Sequence, residues 1–476
     1  MRSRVFLCSL IFGSDLSQRQ EFGIMKKKLV SLLLCMGLMT GLIACGEEKG
    51  QAVTDYEVTY ENGYNGTISF MHFSTEEEAA SNGGSEGFRK CIDEWRTANP
   101  EITLVEEVLP NEEYKTQVSY YAAADELPDV FLLQGQSAST WVKDGLVLDI
   151  TEFIKDSEYA DIYNMDFLVP FTVNNAYYAF PALSGGTCTV VVYDKNLWAE
   201  AGFEAFPQTW ADVESAQSFF SKKGISTIAF GNSGMWQMNS DFVSTFAYQY
   251  TGPEWFAKIM DGTGDFVDED FVASLMKTQY LFRESGIFNK NFNEISNEEA
   301  RELFANGEAA SFIGGNWDVS YLFSALSDEQ KENIGFAVLP KADDAQNYRH
   351  YQNNGLGYGV AINSKVASDP EKLEACVKLA KYLTGPAYAD YVGEKYALGG
   401  FCGGDIDLSS FDELTKEFYE YSYVANDSCE IFDSYVDEKV WNVFNEGLFD
   451  MTNGELDPGS VAILTQEEYS NYLLGK

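Results

Sequence analysis

The chain has 476 residues, 45% hydrophobic and 15% aromatic, which is more apolar material than a disordered chain carries and enough for two packed lobes. Its 74 Asp and Glu against 32 Lys and Arg give a formal charge of -42, a field that repels phosphate backbones and argues against nucleic acid as a partner. With His72 and His350 as the only histidines, His-based zinc sites and Ser-His-Asp triads lack raw material, and the balance of charge favours a neutral or cationic ligand.

In chain order, Met25-Lys26-Lys27-Lys28 opens a charged segment, the apolar run Leu29 to Ile43 follows, and the small residue Ala44 precedes Cys45. This is the layout of a signal peptide at 25–44. The run is about fifteen residues, short of the roughly twenty a permanent span needs. Leu42-Ile43-Ala44-Cys45 resembles the bacterial lipobox, which implies lipidation of Cys45 and anchoring to the cell membrane on its outer side. Residues 1–24 lack this pattern and read as a non-native upstream extension, and the polar stretch 45–65 reads as anchor and linker.

Gly66 to Phe73 reads as a strand, and Phe88, Ile92 and Trp95 recur at helical spacing before Pro100. Ile102 to Leu109 is the next strand. Asn111 is expected to cap a helix that carries Glu112 and Glu113 in its first turn and runs to Ala124; Asp129 to Leu133 is a buried strand. This alternation predicts right-handed crossovers and a parallel sheet, with ligand sites beyond the strands' carboxyl ends at 73–76 and 134–136. The alternation restarts with strand Cys188–Tyr193, helix Thr209–Lys223, strand Ile225–Phe230, helices at Asp241–Tyr250 and Asp268–Ser285, and strands Ala310–Ile313 and Gly335–Leu339. A second α/β lobe follows. The chain is expected to cross between lobes at Tyr178–Ala182 and Asn353–Gly357, where small residues let backbone torsions change.

Of eight cysteines, Cys91, Cys188, Cys376, Cys402 and Cys429 remain once the leader and Cys45 are set aside. An odd number gives no complete disulfide framework. Cys91, Cys188 and Cys376 fall in helix and strand patterns that read as buried thiols, and a Cys402–Cys429 bridge stays open.

Several segments carry a resemblance. They are Pro128-Asp129-Val130-Phe131 with Gly145 to Ile150; Tyr178-Ala179-Phe180-Pro181; Val191 to Leu197; Phe206-Pro207-Gln208-Thr209-Trp210; Phe304 to Ala310 with Gly314-Gly315-Asn316-Trp317; and Gly335 to Pro340. Their order over residues 66–476 is similar to the extracellular solute-binding protein family 1, the carbohydrate group that includes maltose-binding protein. The resemblance implies an α/β, two-lobed periplasmic-binding-protein-like (type II) fold with a hinge and an interlobe cleft. Lobe 1 would comprise 66–182 with 356–404, and lobe 2 would comprise 183–355 with 405–476. It further implies a monomeric, extracytoplasmic carbohydrate-binding component of a bacterial ABC importer. Such a protein closes over a sugar or oligosaccharide, delivers it to membrane permease subunits, and needs no cofactor, metal or catalytic residue.

A sugar presents hydroxyls and weakly apolar faces, so its site needs aromatic plates and directional polar groups. The resemblance points to Trp317 as the stacking plate, against a core tryptophan at a helix start. Trp236, in the loop after Ile225–Phe230, is the candidate second plate, with core packing, Phe401 or Trp441 as alternatives. Asn316 and Asp318 flank Trp317 as hydroxyl partners, Asn316 alternatively as a helix cap. Lobe 1 offers Ser74, Thr75, Glu76, Gln134 and Gln136; Thr187 stands just before strand Cys188–Tyr193, and Asn354 with Gly355 falls at the second crossing. Maltose-binding protein has a Trp and an acid-basic pair in the 134–136 stretch where this chain has glutamines, so maltose specificity does not carry over. Gly355 to Gly359 lacks the Lys and Ser/Thr of a phosphate loop and precedes a strand. A receptor for a cationic or peptide solute, and a secreted glycosidase, are the competing readings.

Overall fold

The computed structural model describes residues 63–155, 163–183, 186–398, 406–423 and 426–475. These lie within one compact unit, Tyr60–Lys476. Cys45, Phe401 and Cys402 fall outside the described residues.

The strands in chain order are β1 (Thr67–His72), β2 (Thr103–Val108), β3 (Val130–Gln134), β4 (Phe180–Pro181), β5 (Gly186–Thr187), β6 (Val190–Asp194), β7 (Ser311–Gly314), β8 (Ile334–Ala337), β9 (Tyr351–Gly355), β10 (Tyr358–Ile362) and β11 (Asp427–Cys429). A further short hairpin pairs Thr172–Val173 with Ala176–Tyr177.

The first lobe is built on a five-stranded sheet in the order β2-β1-β3-β10-β4. β1 runs parallel to β2 and β3, as the strand-helix alternation predicts. β10 returns antiparallel on β3, and β4 antiparallel on β10, so the sheet is mixed. Asp129 explains the Pro-Asp sequence at the head of β3. Its carboxylate accepts the Ser69 N–H at 2.8 Å and the Ser69 hydroxyl at 2.9 Å, and pairs with Lys372 at 2.7 Å. Those bonds fix the offset between two neighbouring strands.

Helix Gly83–Ala98 starts where Asn82 accepts the N–H groups of Gly84 and Ser85. It buries Phe88, Ile92 and Trp95 against the sheet. Helix Asn111–Ala124 begins one residue earlier than expected: Pro110 holds the cap position without a side-chain bond, and Asn111 is already helical. The fixed φ of proline suits that place, and the Pro110 carbonyl accepts the first turn's Tyr114 N–H at 2.8 Å. Tyr114 then donates its hydroxyl to the Leu132 carbonyl at 2.6 Å and accepts the Leu132 N–H at 2.9 Å, pinning the helix to β3.

In the second lobe, β6 is the centre of a three-stranded sheet in the order β8-β6-β7, with both pairings antiparallel. The expected strand Ile225–Phe230 does not form a ladder. Its backbone alternates between two sides, with single bridges from Ser226 to Ala309, Ile228 to Phe288 and Ala229 to Phe312. The Phe230 N–H goes to the Asn289 side chain instead of a strand partner. Around this sheet Trp198, Trp210, Tyr248, Trp441 and Tyr469 are fully buried. A third small sheet, β11-β9-β5, lies where the chain leaves one lobe for the other, since β9 leads through two residues into β10 of the first lobe's sheet.

Among the described residues Cys91, Cys188, Cys376 and Cys429 are free, buried thiols, so Cys429 is unbridged.

Candidate functional site

Gly314 and Gly315 end β7 and set up the start of helix Asn316–Ala325. A Cβ on Gly315 would lie 2.4 Å from the Trp317 ring, and one on Gly314 would lie 2.5 Å from an Asp318 oxygen. The paired glycines therefore let the indole fold back over its own backbone while Asp318 caps the helix. Asp318 accepts the Gly315 N–H at 3.0 Å, both amide contacts from Asn297 at 2.9 and 2.8 Å, and Arg301 at 3.1 Å. Its side chain has no exposed surface. The expectation that Asp318 binds ligand hydroxyls is thus corrected: its lone pairs are used inside the protein, and it positions the Trp317 turn. Burial, opposed by Arg301 and Asn297, raises its carboxyl to about 6. Asn316 is buried at the first helical position; Gly315 is the cap.

Trp317 is half-buried, and Trp236 stands beside it with ring centroids 6.1 Å apart and planes at 54°. This spacing leaves no room for a ring between them, so the two indoles form one bent wall. Trp236 is carried by the loop 231–237, which Asn232 anchors by accepting the Met238 N–H at 2.9 Å and donating to Asn293 at 2.7 Å. Met235 takes a left-handed φ of 65° immediately before the tryptophan.

The loop runs into a wide π-helical turn, Met238–Val243, which overlaps the start of the helix expected at Asp241–Tyr250. Such turns recur at functional sites. Here the main chain is well held: the Asn353 amide donates to the Ser240 carbonyl at 2.6 Å and the Ser244 hydroxyl to the Asn239 carbonyl at 2.7 Å. The Ser240 hydroxyl is held as well, by Asp433, but three other side chains are not. Gln237 Oε1, both polar atoms of Asn239 and both carboxylate oxygens of Asp241 are buried without a hydrogen-bond partner. A buried polar atom in that condition costs about 1–3 kcal/mol. Five such atoms lie within residues 237–241, which makes this segment a candidate site. Sequence reading missed Gln237, Asn239 and Asp241; the available signal was the excess of polar residues in a segment with no exposed helical face.

The first lobe meets this wall. Trp236 donates its indole N–H to Glu112 at 3.1 Å, and Lys115 lies 5.0 Å from the Trp236 ring centroid while pairing with Glu112 at 2.7 Å. Tyr358 packs on Phe73 at 4.7 Å. Nearby, Ser137 donates to Glu438 at 2.8 Å and Thr140 to Asp437 at 2.6 Å, tying helix Gly135–Lys143 to the start of helix Glu438–Asn453. Gly135 is required by this close approach, since a Cβ would lie 2.4 Å from the Ser434 carbonyl oxygen.

The other expected residues separate into groups. Ser74 is fully buried with its hydroxyl unpaired, at the carboxyl end of β1. Thr75 accepts the Glu78 N–H at 3.0 Å as a helix cap, and Glu76 is an exposed side chain 3.8 Å from Arg89. Gln134 ends β3 and Gln136 lies in the first turn of helix Gly135–Lys143, both half-buried. Asn354 pairs with Thr187, and Gly355 with Gly186, in the β9–β5 register at the crossing. Trp441 is corrected as a plate: it is fully buried, near-parallel to Phe432 at 17°, and bonds the Tyr435 carbonyl through its indole N–H.

Over residues 79–390, well over half of its length, the chain matches the profile described as bacterial extracellular solute-binding protein. It belongs to that family. Among curated proteins this solute-binding protein is 24% identical over 330 residues to the diacetylchitobiose binding protein DasA of Streptomyces coelicolor, covering 66% of this chain and 70% of the relative. Among solved structures it resembles a chitin oligosaccharide binding protein, with TM-score 0.74, 20% identity, and coverage of 85% and 98% of the two chains. A structure described in work on xylan utilization by Caldanaerobius polysaccharolyticus gives TM-score 0.72, 22% identity, and coverage of 84% and 99%. These likenesses establish the two-lobed α/β fold. Among the described residues no helix is long and apolar enough to cross a membrane.

Proposed function

We propose that this solute-binding protein captures a sugar or oligosaccharide outside the cell, as the receptor of an ABC importer. It is held at the membrane through lipidated Cys45 and hands the unaltered ligand to permease subunits. The observation that carries the reading is the bent indole wall of Trp236 and Trp317, on the same lobe as the unpaired polar row of the 237–241 turn. Aromatic faces stack on the C–H faces of a pyranose, and amide and carboxylate groups take its hydroxyls. The relatives named for chitobiose and chitin oligosaccharides support the same ligand class. In this arrangement Gln134, Gln136 and Ser74 contribute from the first lobe, and Thr187, Asn354 and Gly355 line the crossing. Lobe 1 comprises 66–182 with 356–404, and lobe 2 comprises 183–355 with 405–476.

The test is a thermal-shift screen of the purified protein against mono- and oligosaccharides, followed by calorimetry and analysis of the sugar after overnight incubation. A ligand at 1,000 times its Kd raises stability by about 4 kcal/mol. The expected result is a sugar that stabilises the protein and is recovered intact. Recovery of a cleaved sugar would replace the receptor with a glycosidase.

A further inference from the structure

The charges around the 237–241 turn do not balance. Asp318 is paired with Arg301 at 3.1 Å, Glu112 with Lys115 at 2.7 Å, and Asp433 accepts the Ser240 hydroxyl at 2.5 Å. Asp241 is fully buried and has nothing. Five acids, Glu298 among them, thus share the region with two cations, and both cations already serve another carboxylate. Burial, together with the neighbouring Asp318 and Asp433, pushes the Asp241 carboxyl well above its ordinary range, while Lys115 alone works against the shift. Glu298 adds to the rise.

A carboxylate without a counter-charge is expensive in a dry interior; a positive partner with several donors relieves both the charge and the empty lone pairs. A neutral diol relieves only the second. No group of three or more His, Cys, Asp or Glu among the described residues is arranged to hold a metal ion, so the missing charge has no inorganic cage. Asn239 sits two residues away with its whole amide unpaired, ready for a hydroxyl or amide next to the charged centre.

We propose that the ligand is an amino sugar bearing a free ammonium group, and that Asp241 is the residue that selects it, with Asn239 bonding the neighbouring substituent. This inference rests on the sugar-receptor reading above. It adds a charge requirement to the stacking wall, so that a ring is chosen by its face at Trp317 and by its amine at Asp241.

Three trisaccharides with the same β-1,4-linked ring skeleton make the test: one with ammonium at each C2, one with acetamide, one with hydroxyl. Calorimetry on the purified protein at pH 6, in 50 mM salt, is expected to show the ammonium form at least tenfold tighter than either neutral form. Asp241→Asn should remove that preference, and should fold, since it replaces a buried carboxyl that has no hydrogen-bond partner by a neutral amide of nearly the same size. Lys115→Met, which leaves Asp241 intact and removes a competing cation, should widen the preference at least threefold. Equal binding of the three sugars, tighter binding of the acetamide or hydroxyl form, an unchanged preference in Asp241→Asn, or a reduced one in Lys115→Met overturns the amine assignment while leaving a sugar receptor. Binding of a linear polyamine such as spermidine with none of the three sugars overturns both readings.

Discussion

The two lobes face each other with different chemistry. At the carboxyl end of β1, the first lobe presents Thr75, already committed to a helix cap, and Glu76, which is turned out to solvent. Ser74 there has its buried hydroxyl unpaired. The second lobe presents two indoles and five unpaired polar atoms within the segments 236–241 and 317. Polar groups that satisfy one another cannot also hold a ligand strongly, because a new bond must replace an existing one. On the proposed reading, recognition is therefore concentrated in the second lobe, with the first in contact with its indole wall through Glu112 and Lys115.

The largest effect expected from this asymmetry is in Trp317→Ala. Sugar affinity should fall by about 30-fold or more, roughly 2 kcal/mol, the scale of an aromatic hot spot, with a change of only a few degrees in the melting temperature of the free protein. Calorimetry and a melting curve check both halves, and an unchanged affinity with a collapsed melting temperature would assign Trp317 to the core. Next comes the pH profile of the ligand-free protein. Asp318 in the fold has its carboxyl raised from 3.8 to about 6, so the proton it holds adds stability that is complete below about 3.8 and is lost as pH rises through about 6. Melting temperature between pH 4 and 7 should decline more steeply with pH in wild type than in Asp318→Asn; parallel profiles would remove Asp318 as the source.

Trp236→Phe keeps a ring against Trp317 and deletes the bond to Glu112, so the affinity loss should be about fivefold, near 1 kcal/mol, by calorimetry. A loss as large as that of Trp317→Ala would make the bridge between lobes a main determinant of binding. Smallest is Ser74→Ala, expected to change affinity by about twofold or less. If Ser74→Ala instead matched Trp317→Ala, the asymmetry between the lobes would be wrong.

Much of the framework was legible because it depends on local patterns. Asp129 at the head of β3 and Gly314-Gly315 ahead of Trp317 stand out in the sequence, and the structure gives each a bond or close approach. The strand at Ile225–Phe230 was misread because its apolar run is real but its backbone partners lie on two sides, and only tertiary structure reveals that. Asp318 was misread in role: a carboxylate beside a tryptophan suggests ligand contact until Asn297 and Arg301, some twenty residues away, are seen to claim it. Asp241 and Asn239, the proposed ligand groups, could not be picked out in the sequence because the wide turn that carries them has no signature in residue spacing.

That turn has an evolutionary consequence. Its main chain is anchored by Asn353, Ser244 and Asn232, whereas the side chains of Asn239 and Asp241 support no other part of the protein. Positions 239 and 241 can be exchanged without taking away any bond the fold relies on. Under the proposed assignment, a point substitution there changes which ligand is held while removing no hydrogen bond of the scaffold.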